Sequence, residues 1–281
     1  MREIIIDKVI NNNIISAFEE SGTEVVVMGR GIGFKKKPGQ TVPSEQVEKI
    51  FRMKSKTLAE QLKELLADMP LERVEISAEI IAYAKDQLKL KLNQSIYVTL
   101  TDHINFAIER VSHGIEPENA LLWEIKRFYS HEFQLRTYAL QLIYERLGIK
   151  LPEDEAGFIA LHFVNAEYGT DIHDALKFPN QMNDIVRIVE QELGLELDEG
   201  SLHYERFVTH VKFLLQRIYR KELLSSEDKE LAQMMQRKYP KEYNCSEKVA
   251  AYIKEATGCT LSDEEVMYLS VHIRRVTAVE K

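Results

Sequence analysis

Four of the eight histidines in this 281-residue chain fall at equivalent positions of an internal repeat. The segments 102-DHINFAIERV-111 and 209-THVKFLLQRI-218 pair His103 with His210, 107 residues apart. The segments 148-GIKLPEDEAGFIALH-162 and 258-GCTLSDEEVMYLSVH-272 pair His162 with His272, 110 residues apart, and 129-YSHEF-133 matches 239-YPKEY-243 at that same offset. His113, His131, His173 and His203 have no such counterparts. Three chemistries use imidazoles in this setting. Zinc needs three or four ligands, and H-E-x-x-H is absent because 131-HEFQL-135 stops short. Acid–base work needs a partner carboxylate; Asp102 adjoins His103, but neighbours on a helix point apart. Phosphoryl acceptance needs only an accessible neutral imidazole. A histidine packed in a core would be inherited through duplication as faithfully as any of these. The residues alone leave the choice open.

A second candidate is the glycine cluster in 26-VVMGRGIGFKKKPG-39. It is not G-x-G-x-x-G, and Phe34, three lysines and Pro38-Gly39 cannot open the helix that a dinucleotide site requires. No G-x-x-x-x-G-K-[ST] is present either. These glycines belong to a turn with another use.

The elements that position both candidates follow from periodicity. Residues 4–18 alternate short β-branched runs with an Asn triplet, 19-EESGTE-24 reads as a turn, and 25-VVVM-28 reads as a strand. So small a β head has little core of its own, and dimerisation is expected. From about residue 56 the apolar period becomes 3.6, as in 58-LAEQLKELLADM-69 and 78-AEIIAYAKDQL-88. Helices continue to the C-terminus, with the best internal break at 169-GTDIHDALKFPN-180. Ser262 and Glu265 spell a capping box, and Pro152 marks the matching helix start. Each of these helices carries its histidine seven residues after a glutamate, Glu155 or Glu265, which places the two on one face but out of contact. His103 flanks the apolar stripe Ile104, Ile108 and Val111, and His210 flanks Phe207, Val211, Leu214 and Ile218. All four histidines are expected near the edge of a packed surface.

The fold expected is multidomain: a small antiparallel all-β head, dimeric, followed by two homologous all-α bundles. The boundaries are 1–55 for the head, 56–66 for a helical linker, and 67–170 and 171–281 for the two helical domains. The net charge of −8 disfavours polyanion binding by the whole chain. Residues 1–55, however, hold nine Lys/Arg against seven Asp/Glu, so contact through the head is permitted. No apolar run is long enough to span a membrane, and the N-terminus lacks a signal-peptide pattern. Cys245 and Cys259 form no C-x-x-C, which suggests a reduced, cytoplasmic protein.

The segment 8-KVINNNIIS-16 together with 26-VVMGRGIGFKKKPG-39 closely resembles the RNA-binding head of the BglG/SacY/LicT transcriptional antiterminators. The duplicated helical part, with 102-DHINFAIER-110 and 158-FIALHFVNAE-167, resembles their paired phosphotransferase-system regulation domains. The resemblance spans essentially the whole chain. It implies a dimeric head that clamps an RNA hairpin overlapping a terminator in a leader mRNA, so that the polymerase reads on. Lys8, Asn11, Asn13, Gly29, Arg30, Gly31 and Phe34 match the family's RNA contacts, with Phe34 stacking on an exposed base and Arg30 meeting phosphate or base edge.

His103 and His162 match inhibitory phosphorylation sites served by a sugar-specific enzyme II. His210 and His272 match sites that receive phosphate from HPr and favour the active dimer. The resemblance leans towards a β-glucoside operon and implies a regulator rather than an enzyme, with no cofactor, no metal, no catalytic residue and no membrane insertion. Two alternatives stand beside it. One is a DNA-binding activator with the same regulatory domains, which would need a helix-turn-helix in place of the strand-like head. The other is a metal or acid–base enzyme built on the histidines. The core aromatic and the solvated turn are the plain readings of Phe34 and 35-KKK-37.

Overall fold

The computed structural model describes residues 4–19, 22–53, 55–169, 176–224 and 229–278. His173 and residues 170–175 of the expected break lie outside them. The head is an antiparallel sheet of β1 (Ile4–Asn11), β2 (Ile14–Phe18), β3 (Glu24–Met28), β4 (Thr41–Val42) and β5 (Lys49–Arg52), in the order β4-β1-β2-β3-β5. Successive side chains on a strand point to opposite faces, and here both faces are covered. Val25 and Val27 on β3 join Ile15 and Ala17 on β2 in one core, with Ile4, Ile6, Ile32 and Val42. Val26 and Met28 join Ile14 and Phe51 on the other face.

That second face is closed by α1 (Lys56–Ala67), which contributes Ala59, Leu62 and Leu66, and by Val74 and Ala78 of α2 (Leu71–Gln87). Lys63 reaches into the seam and binds Glu24 at 2.7 Å, and Ser16 donates to the same carboxylate oxygen at 2.9 Å. The Lys63 hydrogen bond holds the Glu24 carboxyl below its ordinary value, against the opposing effect of burial.

The helical part repeats as the sequence predicts. α2, α3 (Ile96–Ser112), α6 (Leu135–Leu147) and α7 (Glu153–Tyr168) enclose a core that includes Ile80, Ile104, Ile143, Ile159 and Phe163. Their counterparts are α8 (Phe178–Leu193), α9 (Leu202–Arg220), α11 (Pro240–Thr257) and α12 (Asp263–Thr277), which bury Ile185, Phe207, Leu214, Ile253 and Ile273. Short helices α4 (Leu122–Phe128) and α5 (Ser130–Phe133) precede α6, and α10 (Lys229–Lys238) precedes α11. The chain divides into two compact units, Met1–Ala120 with Ser130–Gly169 and Leu121–Tyr129 with Thr170–Lys281. Helix α4 therefore belongs with the second unit, where Arg127 hydrogen-bonds Asn183 at 3.1 Å and lies 5.8 Å from the Tyr204 ring centroid.

Only half of the expected capping box forms. Ser262 caps α12 by accepting from the Glu265 amide. The Glu265 side chain does not return to Ser262. It turns inward, because the guanidinium of Arg217 offers a stronger, charge-assisted partner than a backbone amide. Among the described residues, no helix is long and apolar enough to cross a membrane.

Candidate nucleic-acid interface and histidine sites

The Asn triplet and the glycine loop form one unit at the tip of the β1–β2 hairpin. The Asn12 carbonyl accepts from the Gly33 amide and the Asn13 carbonyl from the Gly29 amide, each at 3.0 Å, while the Asn13 side-chain oxygen accepts from the Gly31 amide at 2.9 Å. The glycines are needed for that closeness. A Cβ on Gly33 would stand 2.3 Å from the Asn11 carbonyl oxygen, and one on Gly29 would stand 1.9 Å from that of Gln46. Gly31 faces open space with φ at +68°, a backbone conformation that side chains disfavour. The close approaches are thus to the head's own backbone.

This knot presents Phe34 outward at 55% exposure, with the Lys35 ammonium 5.2 Å from its ring centroid, so Phe34 is not a core aromatic. Lys8 and Arg30 are exposed as well. Arg30 is held loosely, with its guanidinium 4.0 Å from Glu48 and 3.7 Å from Glu75. Asn11 is different. Its side-chain amide donates to the carbonyls of Leu66 and Ala67 at the end of α1, at 2.9 and 3.1 Å, and its oxygen accepts from the Asn13 amide at 2.8 Å.

The repeat-paired histidines meet across packed helices. His103 on α3 and His162 on α7 have ring centroids 4.7 Å apart; His210 on α9 and His272 on α12 stack at 4.0 Å. His162 is buried, and the other three are half-buried. Burial pushes the His162, His210 and His272 imidazoles down, His210 to about 3, so these rings are neutral at pH 7. The helix that carries His162 or His272 also has a fully buried glutamate, Glu155 or Glu265, in its first turn. Glu155 binds Arg110 through Oε1, and its Oε2 lies 3.3 Å from His103 Nε2. Glu265 forms a two-pronged pair with Arg217 at 2.7 and 2.6 Å and also accepts from the Leu224 amide at 3.0 Å. His210 and His272 line an open cleft of about 400 Å³ together with Glu205, Arg206, Thr209 and Phe213. Among the described residues, no three His, Cys, Asp or Glu side chains converge as a metal site.

Two family models divide the chain along these lines. One, described as a CAT RNA binding domain, matches residues 4–60, and the other, the PRD domain, matches 78–166 and again 183–276. The chain is 48% identical to the transcription antiterminator LicT of Bacillus subtilis (strain 168), over 96% of this chain and 98% of that protein. It is 44% identical to the beta-glucoside operon antiterminator of Dickeya chrysanthemi, over 96% of each. The chain belongs to this family of transcription antiterminators. The crystal structure of GlcT CAT-PRDI has a similar fold, with a TM-score of 0.53 and 36% identity over 59% of this chain and 98% of that one.

In this antiterminator, each PRD match contains one histidine pair, and the CAT match contains the hairpin, the glycine loop and the first residues of α1. The sequence did not single out Arg110, Arg217 or the glutamates' role as buried partners. The signal was available. Arg110 and Arg217 occupy equivalent positions of the first repeat segment, as Glu155 and Glu265 do of the second. What was missing was which helix faces which, and adjacent Asp102 was weighed where Glu155, from another helix, makes the approach. His113 is exposed and bonds the Glu109 carbonyl of its own helix through Nδ1, a local contact.

Proposed function

We propose that the chain captures a short RNA hairpin in the leader mRNA of a sugar-utilisation operon, of the β-glucoside type, and thereby prevents a terminator from forming. Phe34 stacks on an exposed base, Arg30 and Lys8 meet phosphates, and Asn11 and Asn13 read unpaired base edges. Gly29 and Gly31 shape the turn. The observation that carries this reading is Phe34: a large aromatic ring held outward by a backbone knot, with cationic Lys35 beside it. A ring fixed outward beside a cation offers a base a stacking platform.

In this reading the functional division is head 1–55, linker helix 56–66 and regulatory domains 67–170 and 171–281. His103 and His162 are the inhibitory phosphorylation sites, phosphorylated by or through a sugar-specific enzyme II of the phosphotransferase system. His210 and His272 receive phosphate from HPr and favour an active homodimer. A neutral imidazole with an accessible ring nitrogen suits nucleophilic attack on a phosphoryl group. Each phosphate adds about two negative charges, which shifts the balance between domain arrangements. The seam between α1 and the head supplies an element for that shift to act on, because the Asn11 amide is occupied by α1 and must be released before it can bind a base.

A titration of the full chain against a bulged RNA hairpin and the matching DNA duplex, at two salt concentrations, tests the proposal. RNA-selective binding that is weakened in Arg30→Ala and Phe34→Ala is expected. Equal or stronger binding to the DNA duplex would replace it with the DNA-binding alternative.

A further inference from the structure

The two repeat-equivalent glutamates use their oxygens differently. Glu265 gives both to Arg217 and one of them also to the Leu224 amide. Glu155 gives Oε1 to Arg110 and leaves Oε2 facing His103 Nε2 at 3.3 Å. Both facing atoms are closed off from solvent and have no other partner among the described residues. The opposite ring nitrogen of His103, Nδ1, is not closed off in this way. His210, the equivalent histidine, also has a sequestered Nε2, but the equivalent glutamate, Glu265, is taken by Arg217, and among the described residues no carboxylate pairs with this imidazole.

We propose that Glu155 is a positioning residue that holds the His103 proton on Nε2, so that Nδ1 is the atom that accepts a phosphoryl group. This rests on the reading of His103 as a phosphoryl acceptor. A buried carboxylate has one economical way to satisfy an oxygen that faces an imidazole nitrogen: it accepts an N–H from it. Glu155 is poised for this because hydrogen bonding from His103 and Arg110 keeps its carboxyl below the ordinary value, outweighing burial. The proton on Nε2 leaves the lone pair on Nδ1, at the open edge of the ring. In the transfer, that lone pair forms the N–P bond while the bond from phosphorus to the donor's leaving atom breaks, and the leaving atom keeps the bonding electron pair. The Nε2 proton stays on the ring, and the positive charge that develops there faces Glu155.

His162 presents the reverse edge. Its Nδ1 is sequestered and its Nε2 is not, so a phosphate on His162 is expected at Nε2. The first regulatory domain would then carry two different phosphohistidine isomers. In the second, Glu265 is occupied by Arg217 and the Leu224 amide and does not fix the proton of His210.

Glu155→Gln gives a sharp test. Arg110 has only donors to offer, so the amide oxygen of Gln turns to Arg110 and its NH2 faces His103 Nε2. A donor there requires the lone pair on Nε2 and moves the proton to Nδ1. The measurement is 15N NMR of the full chain labelled at histidine, with His103 assigned by His103→Gln. Wild type should show the Nε2–H form of His103, and Glu155→Gln should show the Nδ1–H form. An Nδ1–H form in wild type, or no change in the variant, overturns the proposal.

Phosphorylation with phosphoramidate, with isomers assigned by 31P NMR, supplies the second arm. Nδ1-phosphohistidine is expected at His103, and Glu155→Gln should slow its formation by roughly tenfold to a hundredfold. Labelling of His210 in the same molecules should be unchanged, which controls for the reagent, and a wild-type-like amide spectrum of the first regulatory domain shows that the variant is folded. Phosphate on His103 at Nε2 overturns the assignment. Absence of phosphate from wild-type His103 would instead count against its role as an acceptor, and the tautomer measurement would still decide the part played by Glu155.

Discussion

The side-chain amide of Asn11 donates to the carbonyl oxygen of Leu66 at 2.9 Å, so a head residue matched to RNA contact is tied to the helix that follows the head. Loosening α1 should therefore raise RNA affinity. Lys63→Met removes the cation that joins α1 to Glu24, at a cost of about 1 kcal/mol for a pair of this partial exposure. We expect RNA affinity of the full chain to rise by up to about fivefold and the amides at the end of α1 to exchange faster with deuterium. Faster exchange with no gain in affinity would show that the seam does not compete with RNA.

The head loop separates binding from folding. Phe34 is exposed, so Phe34→Ala should leave the melting temperature within about a degree while weakening RNA binding by about 1–3 kcal/mol, the range for a lost stacking partner. Gly33→Ala should do the opposite first. Its Cβ would meet the Asn11 carbonyl oxygen at 2.3 Å, and the head should lose stability by a few kcal/mol through backbone strain. Thermal melts run beside the titrations distinguish the two.

Phosphomimetic changes should divide by domain. His103→Asp or His162→Asp is expected to lower antitermination in a terminator–reporter assay, and His210→Asp or His272→Asp to raise or preserve it. Equal effects from both pairs would end the antagonistic-switch reading. His162→Asp carries an added cost, since it buries a carboxylate in a site that is 8% exposed, and its melt should fall below that of His103→Asp.

Stability should depend on pH through the neutral histidines. His162, His210 and His272 have lowered values in the folded state, so below about pH 6.5 the unfolded chain binds protons that the folded one does not. Their contribution is full above 6.5 and is lost as pH falls below it, for His210 down towards about 3, where burial places its imidazole. The slope is up to about 1.4 kcal/mol per pH unit for each histidine that remains neutral. Urea midpoints at pH 7 and pH 5 check this, and His210→Gln should flatten the difference.

Arg217 and the buried Glu265 should behave as a unit. Arg217→Met strands a fully buried carboxylate and should cost about 3–5 kcal/mol. Changing both residues to methionine should recover most of that loss. A double change as damaging as the sum of the single ones would show that the pair is not coupled.

The sequence by itself determined the order of elements, the duplication and the residues worth asking about. Those are local properties: a period of two in the head, a period of 3.6 beyond residue 56, and matched segments carrying His103 with His210 and His162 with His272. The Asn triplet and glycine loop were legible as a motif for the same reason, because a turn is specified by adjacent residues. Tertiary structure decided which of these residues meet. Glu155 reaches His103 only because α3 packs on α7, and Glu265 turns from Ser262 to Arg217 only because α9 lies beside α12. The same holds for Asn11, whose partners are carbonyls exposed at the end of α1. Periodicity gives each helix its apolar face, but it does not say which charged side chain from another helix will stand over that face. That choice is made by packing, where a buried carboxylate must find a donor and takes the one the neighbouring helix presents.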